Sequence, residues 1–412
     1  MEMRNGIIEG NAGDTSGGGP AGPKRMANLE LLRCAAMMMV VVLHYLGKGG
    51  LLADLTKEHL SGAELTAWLL ECFCAVAVNV YMILSGYFLC MSSFKLSRLI
   101  QLYLQVWGYS VLFGLIGALS GVMVETDFDT HYLLTLLFPV SMEHYWFMTA
   151  YVYLYLLLPF VGMAVRRMTK RQLQIALLIL LFAFCILKSV LPLRLEMDKE
   201  GYDCLWYLSV FLSAAYVRRF GFPFLEKKRN CRMLYAGGCL LIFAGTMALR
   251  EIYLHTGSLE RMIRMCLEYN HVLPFAAAWG LFGIFAGIRV KGKAAEIVNR
   301  IAPYSLGVYL LHENLGLRYT WQNWLGAGRV SDAMERGGAG AVGILLLGTA
   351  AAAAAVFVCG ILVDMARRGI YSLFHKMLLH IKPYRGLVQG IESADRLFAG
   401  EKRAENAQEE HS

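Results

Sequence analysis

The sequence predicts an all-α, polytopic membrane protein, and two observations support this prediction. Of the 412 residues, 57% are hydrophobic and only 17% are charged, a balance that soluble proteins of this length rarely show. Runs of about 20 apolar residues also recur along the chain, which is the length an α-helix needs to cross a bilayer. The net charge of +8 does not indicate nucleic-acid binding, because the basic residues fall in short clusters between these runs.

Ten apolar runs are candidate transmembrane helices. They lie near residues 27–47, 66–90, 99–124, 144–164, 172–192, 204–220, 233–254, 270–289, 301–322 and 339–364. The last run contains six consecutive alanines, Ala350 to Ala355, and small residues of this kind allow helices to pack closely in a membrane. The ten cysteines are scattered without a CxxC pair, so neither a disulfide framework nor a metal site is predicted.

The charges of the loops predict that both termini lie in the cytoplasm. One alternate set of loops is rich in lysine and arginine, whereas the segment from Glu125 to Glu143 in the opposite set has neither. Under the positive-inside rule the basic set faces the cytoplasm, and we expect a bacterial cytoplasmic membrane. Three regions are predicted: a disordered cytoplasmic arm at 1–25, a membrane domain at 26–365 and a basic amphipathic cytoplasmic tail at 366–412.

The first candidate span holds two ionisable residues, Arg33 and His44. Eleven residues make close to three helical turns, so the two share one helix face, about 16 Å apart along the axis. Glu30 lies one turn before Arg33 and can pair with it. An arginine here can also be a snorkelling anchor, and a histidine can simply be hydrogen-bonded at the interface. Their common face favours a lined cavity, because ionisable groups inside membranes are functional candidates and histidine transfers protons or acyl groups near neutral pH.

These residues resemble the first helix of the acyltransferase family 3 membrane proteins. The family motif is a basic residue, ten residues and a histidine, often with an acid three residues before the basic one; here these are Glu30, Arg33 and His44. Three later segments are similar to family segments in the same order: VNVYMILSGYFL from Val78, HYWFMTAYVYLYLLLPF from His144, and YSLGVYLLHENLG from Tyr304. The family often has proline after the last histidine, where this chain has Glu313.

The resemblance implies an enzyme that moves an acyl group, usually acetyl from acetyl-CoA, onto a sugar or another hydroxyl acceptor. It implies that His44 is the essential histidine and Arg33 its basic partner. His44 would act as general base or carry the acyl group. Glu143 and Glu313 are candidates for the carboxylate that orients its ring, and His312 is a second catalytic candidate, although each also suits a structural role.

The expected donor is anionic acyl-CoA, which approaches from the cytoplasm. Arg33, Lys95 and Arg98 are the basic residues predicted on that side, and arginine binds phosphate well through its planar fork. Glu30 would support Arg33, and Lys95 and Arg98 could instead only determine topology. No permanently bound cofactor is expected.

On the acceptor side, Ser85 and Asn79 lie in the second span and could donate hydrogen bonds, and Trp146 could stack on a sugar. Two of them also have a plainer interpretation, which is helix packing for Ser85 and an interfacial aromatic belt for Trp146. The expected partners are a glycan or lipid-linked acceptor, membrane lipids and a possible envelope-assembly protein. Two other functions remain open: proton-coupled export of a small polar solute, and a non-catalytic role in surface-polymer assembly.

Overall fold

The computed structural model describes residues 26–121, 129–191, 198–338 and 340–399, and this part of the chain is all-α, without a strand. The predicted disordered arm at 1–25 and the last part of the predicted tail lie outside the described residues. The first helices are α1 (Ala27–Lys48), α2 (Gly62–Cys74), α3 (Ala77–Leu89), α4 (Leu96–Leu119), α5 (Thr130–Leu137), α6 (Trp146–Arg167), α7 (Lys170–Leu181), α8 (Leu187–Val190) and α9 (Cys204–Phe220). The remaining ones are α10 (Lys228–Thr256), α11 (Val272–Ala286), α12 (Gly292–Ile301), α13 (Ser305–His312), α14 (Trp321–Trp324), α15 (Ala327–Arg336), α16 (Ala341–Leu378) and α17 (Lys382–Ala399).

Among the described residues, seven helical stretches are long and apolar enough to cross a membrane, so the chain is a multi-pass membrane protein. These stretches are Ala27–Lys48, Gly62–Leu89, Leu96–Leu119, Trp146–Arg167, Lys170–Val190, Lys228–Thr256 and Ala341–Leu378. The other three predicted spans fall on α9, α11 and α13, which have 17, 15 and 8 residues. A helix of this length is shorter than the hydrocarbon core is thick, so the count of ten stays a prediction for these three.

The run at 301–322, predicted as one span, is broken where α13 ends at His312. Pro303 lies in the short 3₁₀ turn Ala302–Tyr304 before α13, and the chain turns again directly after His312. The buried Asn314 amide stabilises that second turn, because it donates to the Tyr109 carbonyl at 3.0 Å and to the Tyr145 hydroxyl at 2.9 Å. A buried amide with two partners outside its own helix favours a turn over continued helix.

Two apolar cores meet along α1. Leu29, Leu32 and Ala36, in its first half, belong to a core built mainly with α3, α6, α9 and α11. The second half of α1 belongs to a core built with α13 and α16. Tyr81 and Tyr151 are partly buried side chains that pack against both cores, so the boundary between the cores runs beside α1. The candidate site lies at this boundary.

Helices α13 and α16 pack closely because glycines occupy both sides of their contact. A Cβ on Gly360 would lie 2.6 Å from Val308 Cα, and one on Gly307 would lie 2.4 Å from Asp364 Cβ. Any larger residue at either position would push the helices apart. This contact fixes the height of α13, and therefore of His312 at its end, relative to the rest of the bundle.

Helix α16 has 38 residues and continues through the predicted start of the tail at residue 366. Helix α17 then packs on the start of α4, where the Asp395 carboxylate accepts hydrogen bonds from the Ser97 backbone N–H and hydroxyl at 3.2 and 2.5 Å. Phe398 contacts Phe94 edge to face, with ring centroids 4.9 Å apart. The tail therefore packs against the bundle beside Lys95 and Arg98; its position relative to a membrane stays a prediction.

Candidate active site

A cavity of about 240 Å³ lies at the boundary between the two cores. Helix α1 lines it with Arg33, Met37, Val40 and His44, which are spaced by four, three and four residues and therefore share one face. The other walls come from α3, α6, α13 and the segment before α11, and the residues are mostly apolar and aromatic. The prediction that Arg33 and His44 line one cavity is met by this geometry.

The His44 end of the cavity is a compact polar cluster of four side chains. His44 Nδ1 lies 2.9 Å from His312 Nε2 and 3.2 Å from Glu313 Oε1. Lys48, one helical turn after His44, places its ammonium 2.5 and 2.6 Å from the two Glu313 oxygens. His312 and Glu313 are buried, and a carboxylate buried with a cation beside it keeps its negative charge.

The hydrogen bonds determine which nitrogen of each ring carries the proton. The Val308 carbonyl can only accept, so His312 Nδ1, 2.6 Å away, donates to it. In neutral His312 the lone pair is then on Nε2, which accepts from His44 Nδ1. His44 Nε2 is left with a free lone pair, and His44 lines the cavity. A ring nitrogen in this state can take a proton or an acyl group from a molecule in the cavity.

The segment after α13 holds this cluster in place. Arg318 donates to the backbone carbonyls of Glu313 and His144 at 3.0 and 2.9 Å, and the Trp321 indole N–H donates to the His312 carbonyl at 3.1 Å. His312 and Glu313 are thus fixed both by side-chain bonds and through their own backbone. Such supporting bonds keep reacting groups in a productive geometry.

His44, His312 and Glu313 each offer one metal-ligand atom, and these atoms lie within 4.8 Å of one another. The rest of the cluster fits a metal ion poorly, because Lys48 already contacts both carboxylate oxygens and the two histidine nitrogens are within hydrogen-bond distance. Lys48 supplies the positive charge that an ion would bring. We therefore derive the chemistry from the side chains, and the expectation of a metal-free site stays a prediction.

The Arg33 end of the cavity holds an ion pair. Arg33 pairs with Glu30 at 3.0 Å, as the spacing predicted, and its side chain is 29% exposed. The Tyr81 hydroxyl donates to the Arg33 carbonyl at 2.8 Å. Arg98 is exposed on α4 and lies outside the cavity lining. Arg33 therefore brings a guanidinium group to this end of the cavity.

A scan against protein-family models matches residues 26–364 to the acyltransferase domain of the acyltransferase 3 type. The chain belongs to the acyltransferase 3 family. Membership implies transferase activity, and the match covers every residue of the cluster and of the cavity. Comparisons with curated proteins and with solved structures found no match. The roles of individual residues in this acyltransferase 3 protein therefore rest on its own geometry.

The structure does not bring Glu143 to His44. Its side chain is 55% exposed and pairs with Lys199 at 3.3 Å, whereas Glu313 lies 3.2 Å from His44. Of the two carboxylates that the sequence offered for orienting the histidine, Glu313 makes the contact. A catalytic role for Glu143 in this acyltransferase 3 protein stays a prediction without a supporting contact.

Some of the other predicted site residues line the cavity and others do not. Ser85 and Trp146 line the cavity. Asn79 is buried; its amide donates to the Tyr269 carbonyl at 2.7 Å and accepts from the Trp206 indole at 2.9 Å, so it supports a cavity residue instead of lining the cavity. Lys95 is exposed and outside the cavity lining, and the Tyr155 hydroxyl contacts its backbone N–H and carbonyl, each at 3.2 Å.

Sequence reasoning missed Lys48, Tyr151 and Tyr269. Lys48 carries a local signal, because it lies four residues after His44 and therefore on the same helix face. Tyr151 lies on α6 and Tyr269 on a segment between helices, and nothing in their immediate sequence distinguishes them from other tyrosines. Only packing brings these two side chains to the cavity.

Proposed function

We propose that this acyltransferase 3 protein transfers an acyl group, most simply acetyl, from acyl-CoA to a hydroxyl of a cell-surface glycan or lipid-linked precursor. The observation that carries the proposal is the bonding of the two ring nitrogens of His44. Its Nδ1 is engaged by His312 and Glu313, so its Nε2 is free as a base in a cavity whose opposite end is cationic. This arrangement separates a phosphate-binding end from a reacting end along one helix.

The donor enters at the Arg33 end. The phosphates of CoA meet Arg33 and Arg98, whose guanidinium groups match phosphate oxygens in geometry and charge. The narrow pantetheine arm then follows the apolar cavity wall past Met37 and Val40 toward His44. The thioester carbon reaches His44 because both ends of the arm are aligned with the same helix face.

The reaction joins the acceptor oxygen to the acyl carbon. His44 Nε2 removes the hydroxyl proton as the oxygen attacks the thioester carbonyl, the carbon–sulfur bond breaks, and the proton passes from His44 to the leaving thiolate. The products are an ester and CoA with a free thiol. The imidazolium that forms in between donates from Nδ1 toward His312 and Glu313, and the Glu313 carboxylate stabilises its charge.

The predicted orientation places the donor on the cytoplasmic side and the acceptor on the outer side. Under that orientation the acyl group moves along the cavity, and the acceptor meets it at the His44 end. Acetyl found only on a cytoplasmic acceptor would contradict this through-membrane route, although it would leave acyl transfer itself intact.

The test uses membrane vesicles that contain the full-length chain, labelled acetyl-CoA, and a control preparation without the protein. We expect label in a lipid or glycan fraction with wild type and its loss with His44→Ala at equal protein level. Equal labelling by wild type and His44→Ala, above the control, would remove His44 from the mechanism. Solute transport without any acyl-CoA requirement would favour the exporter.

A further inference from the structure

An aromatic platform lies at the edge of the cavity, formed by Trp146, Tyr202 and Tyr269. The ring centroids are 4.4 Å apart for Trp146 and Tyr202, 4.8 Å for Tyr202 and Tyr269, and 5.9 Å for Trp146 and Tyr269. Trp146 and Tyr269 line the cavity, whereas Tyr202 lies outside its lining and is 42% exposed. The platform is therefore a continuous aromatic surface that leads from the exterior into the cavity.

Two segments that precede α9 and α11 carry Tyr202 and Tyr269, whereas Trp146 begins α6. A buried ionic cluster fixes the two segments together. Lys188 Nζ lies 3.2 Å from Asp198, 2.6 Å from Glu268 and 2.9 Å from Asn270 Oδ1, and the Asn270 amide donates to Asp198 at 2.8 Å. All four side chains are buried. Breaking such a buried pair is costly, so the two segments keep a fixed relative position.

Backbone contacts bring the same segments close beside the rings. The Tyr269 N–H donates to the Glu200 carbonyl at 3.1 Å. Gly201 has φ +88°, and a Cβ there would lie 2.8 Å from Tyr269 Cβ, so only glycine allows this approach. The Asn79 side-chain amide donates to the backbone carbonyl of Tyr269 and holds that residue in place. An aromatic surface held by this many contacts is preorganised for a ligand.

The arrangement fits the face of a sugar ring better than a cation. A cation-binding cage needs rings that surround a space, but these rings contact one another. The planes of Trp146 and Tyr269 are inclined by only 16°, whereas Tyr202 is tilted by 54° and 42° to them. Stacked rings offer a flat surface to the C–H face of a pyranose. Along the chain Tyr202 stands between two acidic residues, Glu200 and Asp203. Carboxylates accept hydrogen bonds from sugar hydroxyls and repel an anionic sugar.

A buried polar atom lies on α2, close to the segment that carries Tyr269. Within the described part of the chain, Glu71 Oε2 is buried and has no hydrogen-bond partner. The neighbouring Cys72 packs in one buried cluster with Cys266, three residues before Tyr269. A buried acceptor without a partner costs free energy unless a ligand or water satisfies it.

We infer that Trp146, Tyr202 and Tyr269 form the acceptor subsite and that they bind an uncharged pyranose ring. This inference rests on the proposed function, because it assigns the acceptor of that reaction. The ring stacks on the platform, and one of its hydroxyls extends toward His44.

The test compares methyl glucoside with methyl glucuronide, which has the same ring and a carboxylate, as acceptors for full-length protein in membrane vesicles. Acetyl transfer gives KM and kcat for each glycoside, and equilibrium binding of the labelled glucoside gives a readout that does not depend on activity. Hydrolysis of acetyl-CoA without acceptor, in which water takes the place of the acceptor hydroxyl, reports on the donor site independently of the sugar.

The variants separate stacking from folding. We expect Trp146→Ala and Tyr202→Ala to raise the KM for methyl glucoside, and to weaken its binding, by about tenfold. Tyr202→Phe keeps the ring and should behave like wild type. Tyr153→Ala, which removes an exposed tyrosine from the same helix as Trp146, is the matched control and should change neither value.

The outcomes are distinct. Transfer that depends on His44, with the same glucoside KM and binding in wild type, Trp146→Ala and Tyr202→Ala, would overturn the subsite and leave the proposed function standing. Preference for the glucuronide, or displacement of the glucoside by choline, would also overturn it. Glucoside binding that weakens in both alanine variants, without any acetyl transfer by wild type, would support the subsite and count against the proposed function.

Discussion

The two ends of the cavity are built in contrasting ways. At the Arg33 end one ion pair with Glu30 engages a partly exposed guanidinium, and most of its N–H donors stay free for another group. At the His44 end both nitrogens of His312 and one of His44 are already bonded, and Lys48 covers the Glu313 carboxylate. Free N–H donors suit the binding of the CoA phosphates. A hydrogen-bond network in which each ring nitrogen has a defined role suits proton transfer. The proposed function therefore assigns binding and chemistry to separate parts of one helix face.

The largest effect should come from the reacting end. His44→Ala removes the base, so we expect kcat for acetyl transfer to fall by about 10²–10⁴-fold with little change in the KM for acetyl-CoA. His59→Ala, an exposed histidine on the segment after α1, is the control and should have wild-type rates. If the KM for acetyl-CoA rose in His44→Ala while kcat stayed at the wild-type value, His44 would act in binding. The two ends of the cavity would then not differ in role.

Glu313→Gln tests the role of the carboxylate at the His44 end, because it removes the negative charge and keeps the shape of the side chain. Without the carboxylate, the imidazolium of His44 loses its stabilising partner and Lys48 is left beside a neutral amide. We expect kcat to fall by about 10–100-fold at unchanged KM for acetyl-CoA. The exposed Glu335→Gln serves as the control. Wild-type kcat in Glu313→Gln would show that the histidine pair works without the acid.

Arg33→Ala should change the KM for acetyl-CoA instead of kcat. The lost phosphate contact should raise the KM for acetyl-CoA by about tenfold while kcat stays within a factor of a few. Acetyl-pantetheine, which lacks the nucleotide and its phosphates, should serve wild type and Arg33→Ala equally poorly. The exposed Arg329→Ala is the matched control. A difference between the two enzymes with acetyl-pantetheine would contradict phosphate binding by Arg33.

The smallest effect is expected from a chelator. Because Lys48 supplies the charge beside Glu313 and His312 orients His44, vesicles treated with EDTA should keep their full acetyl-transfer rate. The measurement compares treated and untreated vesicles, and then adds back Zn²⁺ to each. Loss of activity that Zn²⁺ restores would assign His44, His312 and Glu313 as a metal site. The His44 end would then differ from the Arg33 end by a bound metal ion instead of by its hydrogen bonds.

The sequence alone determined the membrane class, the family and the placement of Arg33 and His44 on one face. These are local properties, because apolar length and helical spacing are written in consecutive residues. The pairing of Arg33 with Glu30 follows from the same periodicity, and the structure has it. Lys48 was readable by that rule as well, one turn beyond His44.

Only the tertiary structure decided which groups meet His44. Its partners His312 and Glu313 lie about two-thirds of the chain away, and they reach it because Gly307 and Gly360 let α13 pack tightly on α16. The sequence offered Glu143 equally, but helical periodicity carries no information about contacts between distant segments. The break after His312 was likewise hidden, because it depends on the partners that Asn314 finds on Tyr109 and Tyr145. Apolar composition predicts that a segment is buried, whereas packing decides where it turns and which side chains it brings together.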